Sequence, residues 1–152
     1  MLLYVFRMVD KAAPVDIDMR EHNKGVIAEF RTMAGKNSNH ETLVLLTTVG
    51  AKSGRPHTAP LGVCEDRDRL IVAGSIAGKP DHPQWYRNLV AQPEVTVEYR
   101  GDVYRARAST VPNGPDRDRL FALMSTRLPH LYEFQDRCRD TRQIPIVLIE
   151  RR

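Results

Sequence analysis

Short β-prone segments that follow one another across tight turns constrain this chain more than any other feature. Residues 42–49 are rich in β-branched and apolar side chains and read as a buried strand. Gly50-Ala51-Lys52-Ser53-Gly54-Arg55-Pro56 holds the glycines and proline that reverse a chain, so residues 57–65 are expected to return as the hairpin partner. Asp66-Arg67-Asp68 then turns into a further strand over residues 69–75. Val95, Val97 and Tyr99 alternate with Thr96 and Glu98, and after the turn Arg100-Gly101-Asp102 the chain returns over residues 103–111. Residues 144–149 are almost wholly apolar, include Pro145, and read as a strand buried on both faces. Strands that arrive as hairpins, rather than in alternation with helices, favour an antiparallel barrel or sheet with helical decoration.

The helices of that decoration are legible from a different period. Val26, Ile27, Phe30 and Met33 share one face of a helix running from Asp18 to near Gly35. Pro83 suits a first helical position, and Trp85, Leu89 and Val90 recur at helical spacing until Pro93 forbids continuation. Leu120, Phe121, Leu123 and Met124 define a third helix, and a short fourth is expected over residues 131–139. Asp116, Arg117, Asp118 and Arg119 read as a solvated helix start, with acid near its N-terminus. The expected class is mainly β with helices (α+β), with about six strands and three or four helices.

At 152 residues and 41% hydrophobic content the chain can bury one core, so a single domain over residues 18–152 is expected. Residues 1–17 carry little pattern and form an N-terminal extension, either disordered or resting at a membrane surface; Lys36 to His40 is a polar loop. The opening apolar run is interrupted by Arg7 and falls short of the roughly 20 residues of a bilayer span. Cys64 and Cys138 lie far apart without a metal-ligand pattern, which predicts buried free thiols and the reducing cytoplasm. The net charge of +4 favours an anionic small molecule, and the scattered basic residues argue against a nucleic-acid partner. HExxH and GxSxG patterns are absent, so no metal is expected and hydrolytic chemistry lacks support.

Two stretches could carry other chemistry. The turn at residues 50–57 surrounds exposed backbone N–H groups with Lys52, Ser53, Arg55 and His57, donors suited to a phosphate or carboxylate. It lacks the spacing of a Walker loop, and from composition alone a solvated hairpin turn is the favoured reading. Val72-Ala73-Gly74-Ser75 places small residues at a strand end where a flat ring can approach, and Trp85 and Asn88 on the next helix could wall it. On the residues alone, a core anchor is the favoured reading of Trp85.

Thr47-Thr48, Gly50-x-Lys52-Ser53-Gly54-x-Pro56, Pro60-Leu61, Ala73-x-Ser75, His82-Pro83-x-Trp85-Tyr86-x-Asn88-Leu89, Pro93-x-Val95 and Ile144-Pro145-Ile146-Val147 together resemble the deazaflavin-dependent nitroreductase family of actinobacteria. Order and spacing match from about residue 20 to the end. The resemblance implies a split β-barrel, coenzyme F420 with its reduced form as hydride donor, and a small electron-poor acceptor such as a quinone, enone or nitro compound. It implies that Lys52, Ser53, Arg55, Pro56 and His57 hold the phosphate and acidic tail. Pro60, Leu61, Ala73, Ser75, Gln84, Trp85 and Asn88 would line the deazaflavin. Ser75 and Tyr132 are the candidate catalytic residues, and Leu131, Tyr132 and Phe134 the candidate substrate pocket. A homodimer is open to such barrels.

The chain departs from the family pattern at three positions. Ala51 replaces a basic residue, His57 an arginine and Ile76 a lysine, which removes part of the tail-binding charge. Arg55 and Lys79 stand nearby to compensate. Two alternatives therefore remain: a related barrel that binds FMN, and a module that carries F420 or a lipid without turnover.

Overall fold

The structure, a computed structural model, describes residues 19–33 and 42–152. The N-terminal extension with its membrane contact, and the polar loop at 36–40, lie outside the described residues. In chain order the elements are α1 (Met19–Met33), β1 (Leu43–Val49), β2 (Pro56–Gly62), β3 (Cys64–Asp66), β4 (Arg69–Ala73), a 3₁₀ turn (Ile76–Gly78), α2 (Gln84–Ala91), β5 (Glu94–Tyr99), β6 (Asp102–Thr110), α3 (Pro115–Arg127), α4 (Leu131–Cys138) and β7 (Ile146–Arg151). Pro83 precedes α2 as its N-cap rather than entering its first turn.

Seven strands form one sheet in the order β2-β1-β5-β6-β7-β4-β3, and every pairing is antiparallel. β2 and β3 stand at opposite edges of that order, yet a single residue, Val63, joins them. The sheet therefore curls until its edges approach, which makes an open barrel. This corrects the expectation of one strand over residues 57–65 and a count near six. Val63 is the crossing point, where the chain leaves β1 for β4. Its N–H donates to the Thr42 carbonyl (3.1 Å) and its own carbonyl accepts from Arg127 Nε (3.1 Å), so the break leaves no orphaned backbone group.

Alternation along the strands assigns each face. Val44 and Leu46 point into the barrel with Val72, Val95, Val97, Val147, Ile149, Trp85 and Leu89. Leu43 and Leu45 point outward under Val26 and Phe30 of α1. Ile146 and Leu148 face outward against Leu120, Met124, Leu131 and Phe134 of α3 and α4. β7 is thus covered on both sides along residues 146–149, as its continuous apolar run predicts. Cys64 and Cys138 are buried and free.

At the start of α3 Asp116, Asp118 and Arg119 are exposed as expected, with both acids in the first turn, but Arg117 is not. Arg117 is buried, lies 5.2 Å from the Phe121 ring centroid and donates from Nη2 to the Ile144 carbonyl. Burial lowers the tendency of its guanidinium to stay charged, and the stacking and carbonyl bond offset that loss. Arg119 donates to Asp66 from both terminal nitrogens (2.8 and 3.1 Å), and Arg69 adds a bond of 2.8 Å, so the β3–β4 turn is pinned to α3.

These two arginines hold the Asp66 carboxyl well below the usual carboxylate range. A folded value below the unfolded one means that the contribution is present above the unfolded pKa and lost as pH falls below it, from about pH 4 downward. Asp66→Asn is expected to lower Tm near neutral pH and to differ less from wild type at about pH 3. Thermal melts at both pH values check this; a gap that stays constant with pH would remove the carboxylate from the account.

Candidate functional site

Strand register gathers the candidate residues at one rim of the barrel. Val49 pairs with Pro56, and Thr96 near the start of β5 faces Thr47. Thr110 at the end of β6 faces Val147, and Ile146 faces Ala73 at the end of β4. The C-terminal ends of β1, β4 and β6 and the N-terminal ends of β2, β5 and β7 therefore share this rim. Residues 50–55, residues 74–83, α2 and the segment leading into β7 all lie at it.

The loop at 50–55 is closed by its own backbone. Gly50 N–H donates to the Arg55 carbonyl (2.7 Å) and Gly54 N–H to the Gly50 carbonyl (2.9 Å). Gly54 has φ +68°, where a glycine avoids the Cβ penalty, and a Cβ on Gly50 would collide with Ser53 Oγ. Ser53 Oγ accepts from Arg55 N–H (3.2 Å). Lys52, Ser53, Arg55, Pro56 and His57 are all exposed, and no carboxylate among the described residues pairs with the three basic side chains. The N–H groups of Gly50, Ala51, Gly54 and Arg55 are spent on protein acceptors, whereas those of Lys52 and Ser53 have none among the described residues. The cationic side chains of Lys52 and Arg55 around unspent N–H groups make a candidate anion seat.

Asn88 anchors that seat. Its Oδ1 accepts from Ala51 N–H (3.0 Å) and Gln84 Nε2 (2.9 Å), while Nδ2 donates to Thr48 Oγ1 (3.1 Å). Both Asn88 and Thr48 are fully buried, so this network is shielded from water. The Asn88 amide is therefore occupied in fixing the loop to α2, a role that its place in the sequence does not reveal. Gln84 remains exposed at the first position of α2.

The neighbouring loop carries Ser75, which is 5% exposed. Ile76, Ala77 and Gly78 follow with φ of 37°, 55° and 73°. Arg142 spans this loop, donating from Nη1 to the Gly74 carbonyl (2.8 Å), from Nη2 to the Ser75 carbonyl (2.7 Å) and from Nε to the Lys79 carbonyl (2.9 Å). Sequence reasoning missed Arg142. It lies 68 positions from Gly74 and belongs to no motif, so only the fold brings it there.

On the far side of Arg142 a cavity of about 500 Å³ opens among Arg117, Phe121, Tyr132, Gln135 and Arg139. Phe121 and Tyr132 meet edge to face with centroids 4.9 Å apart, and Tyr132 is 55% exposed. Leu131 and Phe134 do not share this position. Both are buried in the core, because successive turns of α4 direct them at β7 and α3 while Tyr132 faces outward. Of the three residues expected to form a substrate pocket, the structure brings only Tyr132 to the cavity.

The ring-lining candidates also divide. Trp85 belongs to the barrel core, which fits its expectation as a core anchor. Ala73 is buried at the end of β4, Pro60 is buried on β2 and Leu61 is partly buried beside it. Among the described residues no group of three or more His, Cys, Asp or Glu is placed to hold a metal ion, and no helix is long and apolar enough to cross a membrane.

The fold is a split barrel, with the candidate anion seat at its rim. The chain matches the F420H(2)-dependent quinone reductase family over residues 18–151. It is 34% identical over 111 residues to an F420H(2)-dependent quinone reductase of Mycobacterium tuberculosis, spanning 72% of this chain and 73% of that one. A solved F420-H2-dependent reductase shares 33% identity and a TM-score of 0.64 over 72% of this chain and 94% of that chain. A solved domain-swapped dimer gives 30% identity and 0.67 over 88% and 98%. This chain belongs to the F420H(2)-dependent quinone reductase family, oxidoreductases with reduced F420 as hydride donor. The chemistry of the donor set fits that coenzyme: a phosphate and a polyacidic tail need the uncompensated cations and open N–H groups found at residues 52–57.

Proposed function

We propose that this chain reduces a small electron-poor acceptor, a quinone first and an enone or nitro compound second, at the rim formed by residues 50–57, 74–83 and α2. When bound, reduced F420 supplies the hydride. Lys52, Ser53, Arg55 and His57 hold its phosphate and acidic tail by charge-assisted bonds, with Pro56 shaping the start of β2 and Lys79 adding charge from the next loop. Pro60, Leu61, Ala73, Ser75 and Gln84 border the ring, Trp85 backs it from the core, and Asn88 fixes the loop. Ser75 orients the ring or relays a proton. Tyr132 at the cavity bounds the acceptor and is the second candidate proton donor. Orientation and exclusion of water are the protein's contribution, which requires no nucleophile.

The observation that carries this reading is the set of uncompensated cations on a loop held rigid by buried Asn88. The activity belongs in the cytoplasm, and the dimeric similar structure favours a homodimer. Titration with oxidised F420, followed by fluorescence with FMN in parallel, tests the ligand; oxidation of F420H2 by a naphthoquinone tests turnover. Micromolar F420 binding, weakened about ten-fold by Lys52→Ala, is expected. Preference for FMN, or no binding, would overturn the assignment. Binding without turnover would make the chain a carrier.

A further inference from the structure

We propose that Arg142 is the positioning residue of the cofactor rim: its guanidinium clamps residues 74–82 into the conformation that presents Ser75, and neutral His82 completes the clamp. The inference rests on the proposed function for what the loop presents, and on the geometry alone for the clamp.

The loop cannot hold its shape unaided. Ile76, Ala77 and Gly78 form a consecutive left-handed run. For a β-branched residue such as Ile76 this region is an outlier, and each non-glycine residue in it is strained. Only one hydrogen bond internal to the run's flanks, Lys79 N–H to the Ile76 carbonyl (3.2 Å), accompanies the Gly78 N–H bond to Ser75 (2.9 Å). Holding such a segment requires ties from outside.

Gly74 N–H donates to the Pro145 carbonyl (3.0 Å) and Arg137 Nη1 to the Ala77 carbonyl (3.5 Å), but Arg142 supplies most of the ties, with a planar fork. A guanidinium has five N–H donors in fixed directions, and the carbonyls of Gly74, Ser75 and Lys79 take three of them. The fourth contact runs from Nη1 to His82 Nδ1 at 3.2 Å. Lysine presents its donors from a single nitrogen and cannot span carbonyls on both sides of a turn. Burial lowers the readiness of the Arg142 guanidinium to stay charged, so its carbonyl partners are what offset its desolvation.

His82 adds a pH dependence. Because Arg142 only donates, Nδ1 must be the acceptor, and the imidazole bonded to it is neutral. The groups facing His82 are Arg142, Arg87 and Asp81, with the Tyr86 ring 4.9 Å away. Burial and the two arginines hold the imidazole below the usual histidine range, against a smaller opposing effect of Asp81. Protonation would turn the acceptor into a donor aimed at a guanidinium. The loop is therefore clamped at neutral pH and loses one tie only once the pH has fallen below the usual histidine range.

The test uses the full chain, Arg142→Lys, Arg142→Gln and His82→Asn, whose side-chain oxygen can replace the Nδ1 acceptor without titrating. Hydrogen exchange without cofactor is read at amides 75–80 and across the barrel, with F420 dissociation constants measured from about pH 5 to pH 8. Both Arg142 variants are expected to speed exchange about ten-fold at amides 75–80 with the barrel unchanged, and to weaken F420 binding by a similar factor. Wild type should lose affinity on the acid side, after correction for the tail's own protonation, and His82→Asn should not. Unchanged exchange at 75–80, faster exchange across the whole barrel, or a loosened loop with unchanged affinity would each overturn the positioning role. Equal acid limbs in wild type and His82→Asn would remove His82 from the clamp. If wild type binds no F420 at any pH, the functional reading fails, while the exchange measurements still decide the clamp.

Discussion

Asn88→Ala is expected to weaken F420 binding about ten-fold or more and to destabilise the fold by roughly 2–4 kcal/mol. The substitution deletes the acceptor of Ala51 N–H and Gln84 Nε2 and the donor to Thr48 Oγ1. Thr48 is fully buried and loses its donor where water does not reach, and the space left by the Asn88 amide is buried too, whereas exposed Ala51 N–H and Gln84 Nε2 exchange a fixed acceptor for water. What distinguishes this variant from a generic core truncation is its direction of spread. Ala51 is the point at which α2 grips the anion loop, so Lys52 and Ser53 lose their fixed placement even though neither is changed. F420 titration and thermal melts on the same preparation check both halves. A normal affinity in a destabilised protein would show that loop rigidity does not contribute to binding.

Gly78→Ala should destabilise the chain by about 3 kcal/mol, while Gly54→Ala should cost about 1 kcal/mol. Both glycines are left-handed, with φ of 73° and 68°. A Cβ on Gly54 meets nothing within 4 Å, so only the backbone penalty applies. At Gly78 the same atom would stand 2.7 Å from the Phe134 carbonyl oxygen and 3.0 Å from the Phe134 Cα, backbone atoms of α4 that cannot rotate away. The loop carrying Ser75 must then separate from α4. Gly78→Ala is therefore expected to reduce F420 affinity as well, whereas Gly54→Ala acts through the anion loop alone. Chemical denaturation of the two variants side by side checks the ordering; equal losses would mean that the α4 contact yields easily.

Much of the site is legible in the amino-acid order. Glycines and a proline between two β-prone runs are enough to place Lys52, Ser53, Arg55 and His57 on an exposed turn. The family resemblance supplies the coenzyme, because motif order is information that composition lacks. Local pattern does not show that Asn88 faces Ala51, 37 positions away, or that Arg142 reaches back across 68 positions to Gly74. Helical period sets Tyr132 apart from Leu131 and Phe134, which are core, but does not show that it meets a cavity beside Phe121 and Arg117.

Hairpins, helices and the donor chemistry of the turn follow from the chain's own residues, because each depends on dihedral preference and periodicity within a few neighbours. Barrel closure is a different matter. The run from 56 to 66 reads as one strand from its neighbours alone, and its break at Val63 holds because Thr42 and Arg127 are there to take the backbone groups that the crossing frees. The same holds for buried Arg117, held by the Ile144 carbonyl and the Phe121 ring, and for partly buried Arg142, on which three carbonyls converge. These features arise from the folded arrangement alone, since hydrogen bonds between distant segments leave no period in the chain.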